Sequence, residues 1–230
     1  MSFNFSPKTV SDGLVIYLDA GNAKSYVNGS ANWNDISRNE NNGTLVNGTT
    51  FSSVNCGSIL FDGIDDYVQI ENSTTLNLTQ DGGSVSAWFR TGVIGSGSIG
   101  GSLVAKTNTY NNGYWLTKYN DKVRISLHGS SVSFRLQMVG VTSIADNIWH
   151  QAVATWTTSQ VNLYVDGVLD STQSYTFSFA TSTDPLYLGR QKNVGELYFD
   201  GKISTAQIYN RALSATEVLQ NYNSTKTRFI

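Results

Sequence analysis

The sequence has little cysteine, proline or charge. Its 230 residues include one Cys and two Pro, and 14% of them are charged, with a net charge of −2. Because Cys56 stands alone, the sequence offers no disulfide framework and no zinc site built from cysteines. Lys and Arg do not cluster in any short segment, so no basic surface for a phosphate backbone is expected. We therefore expect no nucleic-acid partner.

Long apolar runs are missing as well. The apolar run near the start, Leu14–Leu18, is far shorter than a membrane span, so we expect no membrane insertion. The first residues, MSFNFSPK, lack the charged segment, the apolar core and the small-residue cleavage site of a signal peptide. The sequence therefore predicts synthesis in a cytoplasm without a signal peptide.

Small polar residues make up much of the chain. Ser, Thr and Asn are abundant, and there are 21 Gly. These residues disfavour helices, because Ser and Asn side chains compete with the helical backbone and Gly loses much entropy there. With 40% hydrophobic and 12% aromatic residues, the chain is too apolar to be disordered. The composition predicts many strands joined by turns.

Apolar residues recur with a period of two in short segments. The plainest case is VNLYVDGVLDS at 161–171, where Asp166-Gly167 forms a two-residue turn between two strands. Further strands are predicted at Leu14–Leu18, Ser58–Phe61, Tyr67–Ile70, Ser84–Phe89, Leu103–Lys106, Tyr114–Tyr119, Val123–His128, Ser133–Met138, Trp149–Trp156, Leu186–Leu188 and Gly201–Tyr209. Such a series predicts two antiparallel sheets packed face to face. One short helix is predicted near the C-terminus, where Ser214 and Glu217 have the spacing of a capping box.

Six motifs follow one another along the chain. They are SILFDGIDDYVQI (58–70), SVSAWFRT (84–91), NIWHQAVATW (147–156), VNLYVDGVLDST (161–172), PLYLGR (185–190) and FDGKISTAQIYNRALSATEV (199–218). The series resembles the laminin-G-like, concanavalin A-like jelly-roll family over residues 10–222. The resemblance implies an all-β fold, an antiparallel two-sheet jelly-roll sandwich with one short C-terminal helix. We expect an N-terminal arm at 1–12 and a single domain at 13–230.

The segment at 13–48 resembles a lead-in found in such domains from tailed-phage virions and bacterial surface proteins. This second resemblance implies a place on a phage virion surface, on capsid or tail, with other virion proteins as partners and synthesis in the host cytoplasm. Phe3 and Phe5 precede Pro7 in the arm, and exposed aromatic rings there would promote aggregation. They dock either on this domain or on a neighbour, and docking on a neighbour would make a homo-oligomer.

Acidic residues gather in the motif FDGIDDYV. Asp62, Asp65 and Asp66 place three carboxylates within five residues, and such hard oxygen ligands suit Ca²⁺. The alternative is a solvated acidic turn whose side chains accept hydrogen bonds from nearby backbone amides. Asp200 has the same Phe-Asp-Gly context as Asp62, so the two either share the metal site or form matching structural turns. The family resemblance implies Ca²⁺ as a cofactor, because many relatives hold calcium at a sheet edge or loop rim.

Aromatic and amide side chains gather in TNTYNNGYWLTKY, around a predicted turn. An exposed ring stacks on the apolar face of a pyranose while neighbouring amides pair with its hydroxyls. The candidate glycan contacts are Asn108, Tyr110, Asn111, Asn112, Tyr114 and Trp115. The same residues are also expected in a buried pair of strands around a hairpin, so both interpretations stay open at this point.

Catalytic patterns are sparse. Glycoside hydrolysis needs two facing carboxylates. The chain holds four Glu, at Glu40, Glu71, Glu196 and Glu217, and no two are spaced to share one strand. We interpret His150, beside Trp149, and His128, without an acidic neighbour in sequence, as structural. The sequence predicts a non-enzymatic domain that binds a cell-surface or extracellular glycan, attaches to other virion proteins, or both. The first alternative is a purely structural capsid-decoration or tail or fibre protein without glycan binding, and the second is a glycan-cleaving enzyme.

Overall fold

The computed structural model describes residues 8–79, 81–92, 99–108, 111–129, 135–178, 182–192 and 197–230. The strands in these ranges are β1 (Leu14–Asp19), β2 (Asn32–Trp33), β3 (Gly43–Val46), β4 (Thr50–Ser52), β5 (Ser58–Asp62), β6 (Tyr67–Ile70), β7 (Gly83–Arg90), β8 (Ile99–Asn108), β9 (Asn111–Tyr119), β10 (Lys122–His128), β11 (Arg135–Val139), β12 (Trp149–Trp156), β13 (Gln160–Val165), β14 (Val168–Ser174), β15 (Leu186–Leu188), β16 (Arg190–Gln191), β17 (Leu197–Tyr198) and β18 (Asp200–Tyr209). One α-helix, α1 (Ala215–Thr225), follows β18, and 3₁₀ turns lie at Val54–Cys56, Thr74–Leu76 and Lys226–Arg228. No helix in the described ranges has the length and apolar character that crossing a bilayer requires.

Two large antiparallel sheets hold these strands. Sheet 1 has the order β14-β13-β12-β7-β18-β5-β4, and β1 also pairs with β18. Sheet 2 has the order β11-β10-β9-β8-β15-β6-β3-β2, and β16 and β17 form a separate small ribbon. The predicted fold class, an all-β two-sheet sandwich with one short C-terminal helix, is confirmed.

The alternation of side chains along each strand decides which residues fill the space between the sheets. In β10, Val123, Ile125 and Leu127 belong to the main hydrophobic core. Because consecutive side chains of a strand point to opposite sides, Arg124, Ser126 and His128 lie on the outer side of sheet 2. The same rule places Val85, Ala87 and Phe89 of β7 in the core. Trp88 therefore lies on the outer side of sheet 1.

The outer face of sheet 1 is covered by the C-terminal part of the chain. The ring of Trp88 stacks on Tyr222 of α1 at 5.5 Å and on Phe229 at 4.3 Å between centroids. Its Nε1 donates a hydrogen bond of 2.9 Å to Oγ1 of Thr225. At the other end of α1, Ser214 and Glu217 form the predicted capping box. The predicted helix is thus confirmed, and its role is to close this face.

Residues 8–12 of the expected N-terminal arm dock beside this helix. The backbone N of Val10 donates to Oδ1 of Asn221 at 2.8 Å, and its carbonyl accepts from the Tyr209 hydroxyl at 3.1 Å. Gln220 donates from Nε2 to the carbonyl of Lys8 at 2.7 Å. This part of the arm therefore contacts its own domain. Phe3 and Phe5 lie outside the described residues, so the docking of their rings stays a prediction.

Replacing Phe229 by Ala should lower the free energy of unfolding by about 3 kcal/mol, because a buried ring is lost from a packed cluster. Phe229 also contacts Trp149, at 4.9 Å between ring centroids. Denaturant unfolding measures the change as a shift of the midpoint at constant slope. The matched control is Ile230→Ala, since Ile230 is 69% exposed. Equal midpoints for the two variants would show that the C-terminal segment does not hold the outer face of sheet 1.

Candidate functional site

The outer face of sheet 2 carries rows of side chains that stand opposite one another in register. One row crosses seven strands, from β3 to β11, through Thr44, Gln69, Tyr187, Ala105, Trp115, Ser126 and Gln137. A second row crosses β8 to β10 through Ser102, Thr117 and Arg124, and a third through Thr107, Gly113 and His128. The term polar face is used below for one set of side chains, those of Ser102, Thr107, Trp115, Thr117, Arg124, Ser126 and His128.

The polar face is buried, yet several of its polar atoms have no protein partner. Arg124 is 6% exposed, and Ser102 and Ser126 are fully buried. Oγ of Ser102, Oγ of Ser126, and Nε and Nη2 of Arg124 make no hydrogen bond to any described residue. Leaving a buried donor or acceptor unpaired costs about 1–3 kcal/mol, so such atoms are rare in folded proteins. Other parts of the described chain hold such atoms too, among them Nε1 of Trp149 and Oε1 of Gln151 on sheet 1.

Aromatic rings accompany these polar groups. Trp115 and His128 are stacked, with centroids 4.6 Å apart and planes inclined by 28°. The guanidinium carbon of Arg124 lies 4.6 Å from the centroid of the Tyr119 ring. Tyr119 itself is partly exposed at the margin of the face. A reachable ring thus adjoins the buried cation.

A second guanidinium lies over tyrosine rings toward β6. Arg190 stands 4.5 Å from the ring centroid of Tyr67, 5.6 Å from that of Tyr187 and 5.7 Å from that of Tyr198. Tyr67 and Tyr198 are partly exposed, whereas Tyr187 is buried. Planar cations and aromatic faces attract one another, so this group fixes the ring orientations at the other margin of the polar face.

The structure separates Tyr114 and Trp115, which the sequence analysis grouped as glycan contacts. Tyr114 belongs to the core between the sheets, where its ring lies 5.5 Å from that of Trp156 and where burial raises the pKa of its hydroxyl. Trp115 lies on the polar face, and each residue is only 1% exposed. The burial of both rings agrees with the alternative of a buried strand pair around a hairpin, because neighbours on a strand point to opposite sides and both sides are buried here. Tyr114 offers no ring face to a ligand.

The asparagines of the predicted glycan site lie at the start of β9. Asn112 has a φ of 62°, and its backbone N donates to the carbonyl of Gly129 at 2.9 Å. Its Oδ1 is buried without a partner among the described residues, like the atoms of the polar face. Tyr110 and the side chains of Asn108 and Asn111 lie outside the described residues. Glycan binding by these asparagines stays a prediction.

Asp62, Asp65 and Asp66 come together where β5 connects to β6. One carboxylate oxygen of each lies within 4.8 Å of the others. Asp200 stands beside them, because it is paired with Asp62 in the register of β18 and β5. Burial and the charge of Asp62 raise the pKa of Asp66, whereas backbone amides, that of Ile64 above all, lower the pKa of Asp62. The donor set fits a hard divalent cation in type and spacing.

Backbone amides already occupy part of this donor set. Asp66 accepts from the N of Gly48 at 2.7 Å and from the N of Asp62 at 3.1 Å. Asp62 accepts through Oδ1 from the N of Ile64 at 2.8 Å. These bonds match the alternative of an acidic turn held by its own backbone. Calcium binding at this cluster stays a prediction.

Thermal unfolding in excess Ca²⁺ and in chelator tests that prediction. A ligand bound only by the folded state raises the free energy of unfolding by about 2.7 kcal/mol at a hundredfold excess over its Kd. Asp65→Asn should remove the calcium-dependent rise in melting temperature. The Asp65 side chain is exposed and accepts no hydrogen bond from a described residue, so the substitution breaks none. Glu40→Gln, at another exposed acid, should keep that rise. Identical melting of the wild type in calcium and chelator would exclude the site.

His150 joins strand β12 to the turn between β13 and β14. Nδ1 lies 2.7 Å from Oδ2 of Asp166, and Nε2 lies 3.3 Å from both carboxylate oxygens of Asp146. Oδ1 of Asp166 accepts from the N of Gln151 at 2.8 Å. Burial by itself lowers the pKa of His150, but the hydrogen bonds and charges of the two carboxylates raise it above the ordinary value. These contacts agree with a structural role.

The raised pKa of His150 makes its contribution to stability depend on pH. The contribution is fully present below the pKa of histidine in the unfolded chain, about 6.5. It is lost as the pH rises through the higher pKa of the folded protein. The wild type should therefore exceed His150→Gln in stability most at acidic pH, with a difference that shrinks above neutrality. Denaturation midpoints of both proteins from about pH 5 to 9 measure it, and a difference that grows with pH would contradict this account.

Comparison with known protein families identifies the class of this chain. A family model described as the Concanavalin A-like lectin/glucanases superfamily matches residues 62–219, more than half of the chain. The chain belongs to this superfamily. A search of curated protein sequences returned no match.

Several solved structures have the same fold. The binding domain of Paraclostridial Mosquitocidal Protein 1 is similar at a TM-score of 0.75 and 18% identity, over 93% of this chain and 52% of that one. A structure of botulinum neurotoxin type C, described by cell entry dependent on two ganglioside molecules, has a TM-score of 0.74 and 14% sequence identity. The match covers 94% of this chain and 52% of that one. The binding domain of botulinum neurotoxin DC in complex with rat synaptotagmin II has a TM-score of 0.76 and 14% sequence identity. The match covers 94% of this chain and 52% of that one. This chain spans about half the length of each of these solved chains.

Proposed function

We propose that this chain is a non-enzymatic domain that binds carbohydrate through the polar face. The observation that carries the proposal is the set of buried, unpartnered atoms on Ser102, Arg124 and Ser126. A saccharide carries hydroxyl groups around its ring, and each of them both donates and accepts. If the face opens to a saccharide, the hydroxyls of the sugar can pair with groups that the protein leaves unpaired.

Aromatic rings at the margins of the polar face supply apolar surface against which a sugar can stack. The partly exposed rings of Tyr67, Tyr119 and Tyr198 stand at its edges. Such rings pack against the C–H face of a pyranose. The structure of botulinum neurotoxin type C adds support by analogy of fold, since its description names cell entry dependent on two ganglioside molecules. Fold alone does not fix function, so the polar face carries the greater weight.

The composition of the polar face favours binding without cleavage. Its three rows contain no Asp or Glu in the part of the sheet that the structure describes. Hydrolysis of a glycosidic bond usually needs one carboxyl group as acid and a second as nucleophile or base. The acidic cluster Asp62–Asp66 lies instead at the β5–β6 connection.

The proposal includes a place for the domain, on the surface of a phage capsid or tail. The segment at 13–48 supports it through its resemblance to lead-ins of virion proteins. There the domain attaches to other virion proteins and presents the polar face to a host-surface glycan. The alternative is a purely structural virion protein, and it predicts that the domain binds no glycan.

Replacing Ser126 by Ala should weaken glycan binding without weakening the fold. The variant loses a hydroxyl that makes no hydrogen bond to a described residue, so the free energy of unfolding should stay the same or rise by about 1–3 kcal/mol. Binding to an array of glycans, with the protein displayed multivalently, should fall roughly three- to tenfold for one lost hydrogen bond.

Ser84→Ala is the matched control on sheet 1. Its hydroxyl is buried too, but it donates to the carbonyl of Arg211 at 2.8 Å and accepts from the N of Leu213 at 2.8 Å. This variant should lose stability by about 1–3 kcal/mol and keep its glycan binding. Absence of selective binding by the wild type across the array would overturn the proposal and favour the structural virion role.

A further inference from the structure

A cavity of about 330 Å³ opens at the edge of sheet 1 where β5 and β7 end and β18 begins. Its lining includes Leu60, Arg90, Thr91, Asn147, Asp200 and Lys202. The C-terminal segment covers Trp88 and Trp149 on the outer face of this sheet, but Arg90 and Lys202 stay partly exposed. A solute can therefore reach the side chains of the cavity.

Two cations of the cavity face each other. Arg90 and Lys202 stand directly opposite in the register of β7 and β18. The next pair, Phe89 and Ile203, belongs to the core, so both cations lie on the outer side of the sheet. Like charges at opposite positions of an antiparallel pair repel and destabilise the sheet. Neither cation forms an ion pair or a side-chain hydrogen bond with a residue that the structure describes.

A third cation lies behind the wall of the cavity. Nζ of Lys118, on β9, donates to Oγ1 of Thr91 at 3.0 Å and to the carbonyl of Gly92. Thr91 and Gly92 both line the cavity. Lys118 is only 1% exposed, so these bonds hold its ammonium group in place. Its charge adds to the positive potential on that side.

One carboxylate opposes these cations. Asp200 lines the same cavity, but it is exposed and stands beside the acidic cluster through its pairing with Asp62. It forms no ion pair with Arg90 or Lys202. Positive charge therefore dominates the cavity, and Asp200 at its rim can accept a hydrogen bond from a hydroxyl group of a ligand.

The free polar groups of the cavity are mainly donors. The guanidinium of Arg90 and the ammonium of Lys202 only donate, and the side-chain amide of Asn147 pairs with no described residue. A phosphate monoester presents three acceptor oxygens and a charge of about −1.5 to −2 at neutral pH. Two of its oxygens match the fork of an arginine. Its charge fits two facing cations better than the single charge of a carboxylate or a sulfate ester does.

We infer that this cavity binds a phosphate monoester, whose phosphate group pairs with Arg90 and Lys202. The phosphate offsets the repulsion between the two cations, and Nδ2 of Asn147 donates to a remaining oxygen. A hydroxyl group near the phosphate donates to Asp200. The cavity lies on sheet 1, away from the polar face, so this inference does not rest on the proposed function.

Isothermal titration calorimetry with three small probes tests the inference, at constant ionic strength and in the presence of a chelator. At about pH 8 methyl phosphate carries nearly two negative charges, whereas dimethyl phosphate and methyl sulfate carry one. The wild type should bind methyl phosphate about tenfold or more tightly than either of the others. The chelator removes calcium, so the acidic cluster cannot hold the phosphate through a metal ion.

Two further probes distinguish the source of the phosphate group. Glycerol 3-phosphate is a soluble monoester, and phosphatidic acid in phosphatidylcholine vesicles presents the same group as a lipid headgroup. The soluble probe should bind more tightly than methyl phosphate, because its hydroxyls can donate to Asp200. Asp200→Asn should reduce that gain and strengthen the binding of methyl phosphate, because the substitution removes a negative charge from the rim.

Arg90→Gln should lower the affinity for methyl phosphate about 10- to 100-fold, because a charged hydrogen-bonded pair is lost. Lys202→Gln should lower it in the same direction. The matched controls are Arg38→Gln and Lys24→Gln, which remove the same charge at exposed cations elsewhere and should bind as the wild type does. Arg90→Lys keeps the charge without the fork, so it should retain part of the affinity.

Thermal melting separates loss of binding from loss of the fold. Arg90→Gln and Lys202→Gln break no side-chain hydrogen bond to a described residue, and each removes the repulsion between two like charges. The melting temperature of each variant without phosphate should therefore equal or exceed that of the wild type.

Three results would overturn the inference. One is equal affinity of the wild type for methyl phosphate and dimethyl phosphate. Another is unchanged binding in both Arg90→Gln and Lys202→Gln, which would place the phosphate elsewhere. The third is an equal loss in Arg38→Gln, because net charge would then explain the effect. None of these results bears on the glycan array, so failure here and failure of the proposed function are distinguishable.

Discussion

The alternation of side chains along the strands is the constraint on which the rest of this structure depends. Each strand gives one side to the core between the sheets, so only the other side is available for other roles. On sheet 1 that outer side carries Trp88, and the chain covers it with its own helix and C-terminal segment. On sheet 2 it carries hydroxyls, an imidazole and a guanidinium. Both outer faces also hold buried atoms without a described partner, such as Oε1 of Gln151 on sheet 1 and Oγ of Ser126 on sheet 2.

Two buried serines differ in their partners. The hydroxyl of Ser84 donates to one backbone group and accepts from another, so it helps to hold β7 to the segment before α1. The hydroxyl of Ser126 is equally buried and pairs with no described residue. The arginines differ as well, since Arg211 pairs with Glu217, while the ionisable neighbours of Arg124 among the described residues are Tyr119 and Arg135. A satisfied polar group stabilises a fold, whereas a buried unsatisfied one costs free energy of folding.

Much of the fold could be predicted from the sequence, and the limits have physical reasons. Strands β6, β12 and β15 have the predicted bounds, and the capping box places α1, because periodicity and capping are local signals. Strands β2, β3 and β4 went unpredicted, because they lie in a stretch rich in Asn, Gly, Ser and Thr, whose composition is typical of loops. The acidic cluster could be found because its members are neighbours in sequence. Arg124 and Ser126 could not be singled out, because they occupy polar positions of an alternating strand, where a solvated face is the ordinary expectation. Only the register with β9 and β8 shows which side chains they meet.

The docking of the arm beside α1 fixes how this domain can be held. Lys8 and Phe229 both lie against the outer side of sheet 1, close to the same helix. The polar face lies on the opposite side of the sandwich, with both sheets and the core between. A tether at either end of the described chain would therefore pull on one side of the domain and leave the other side facing outward. The path of the chain thus brings both of its described ends to the side of the sandwich opposite the polar face.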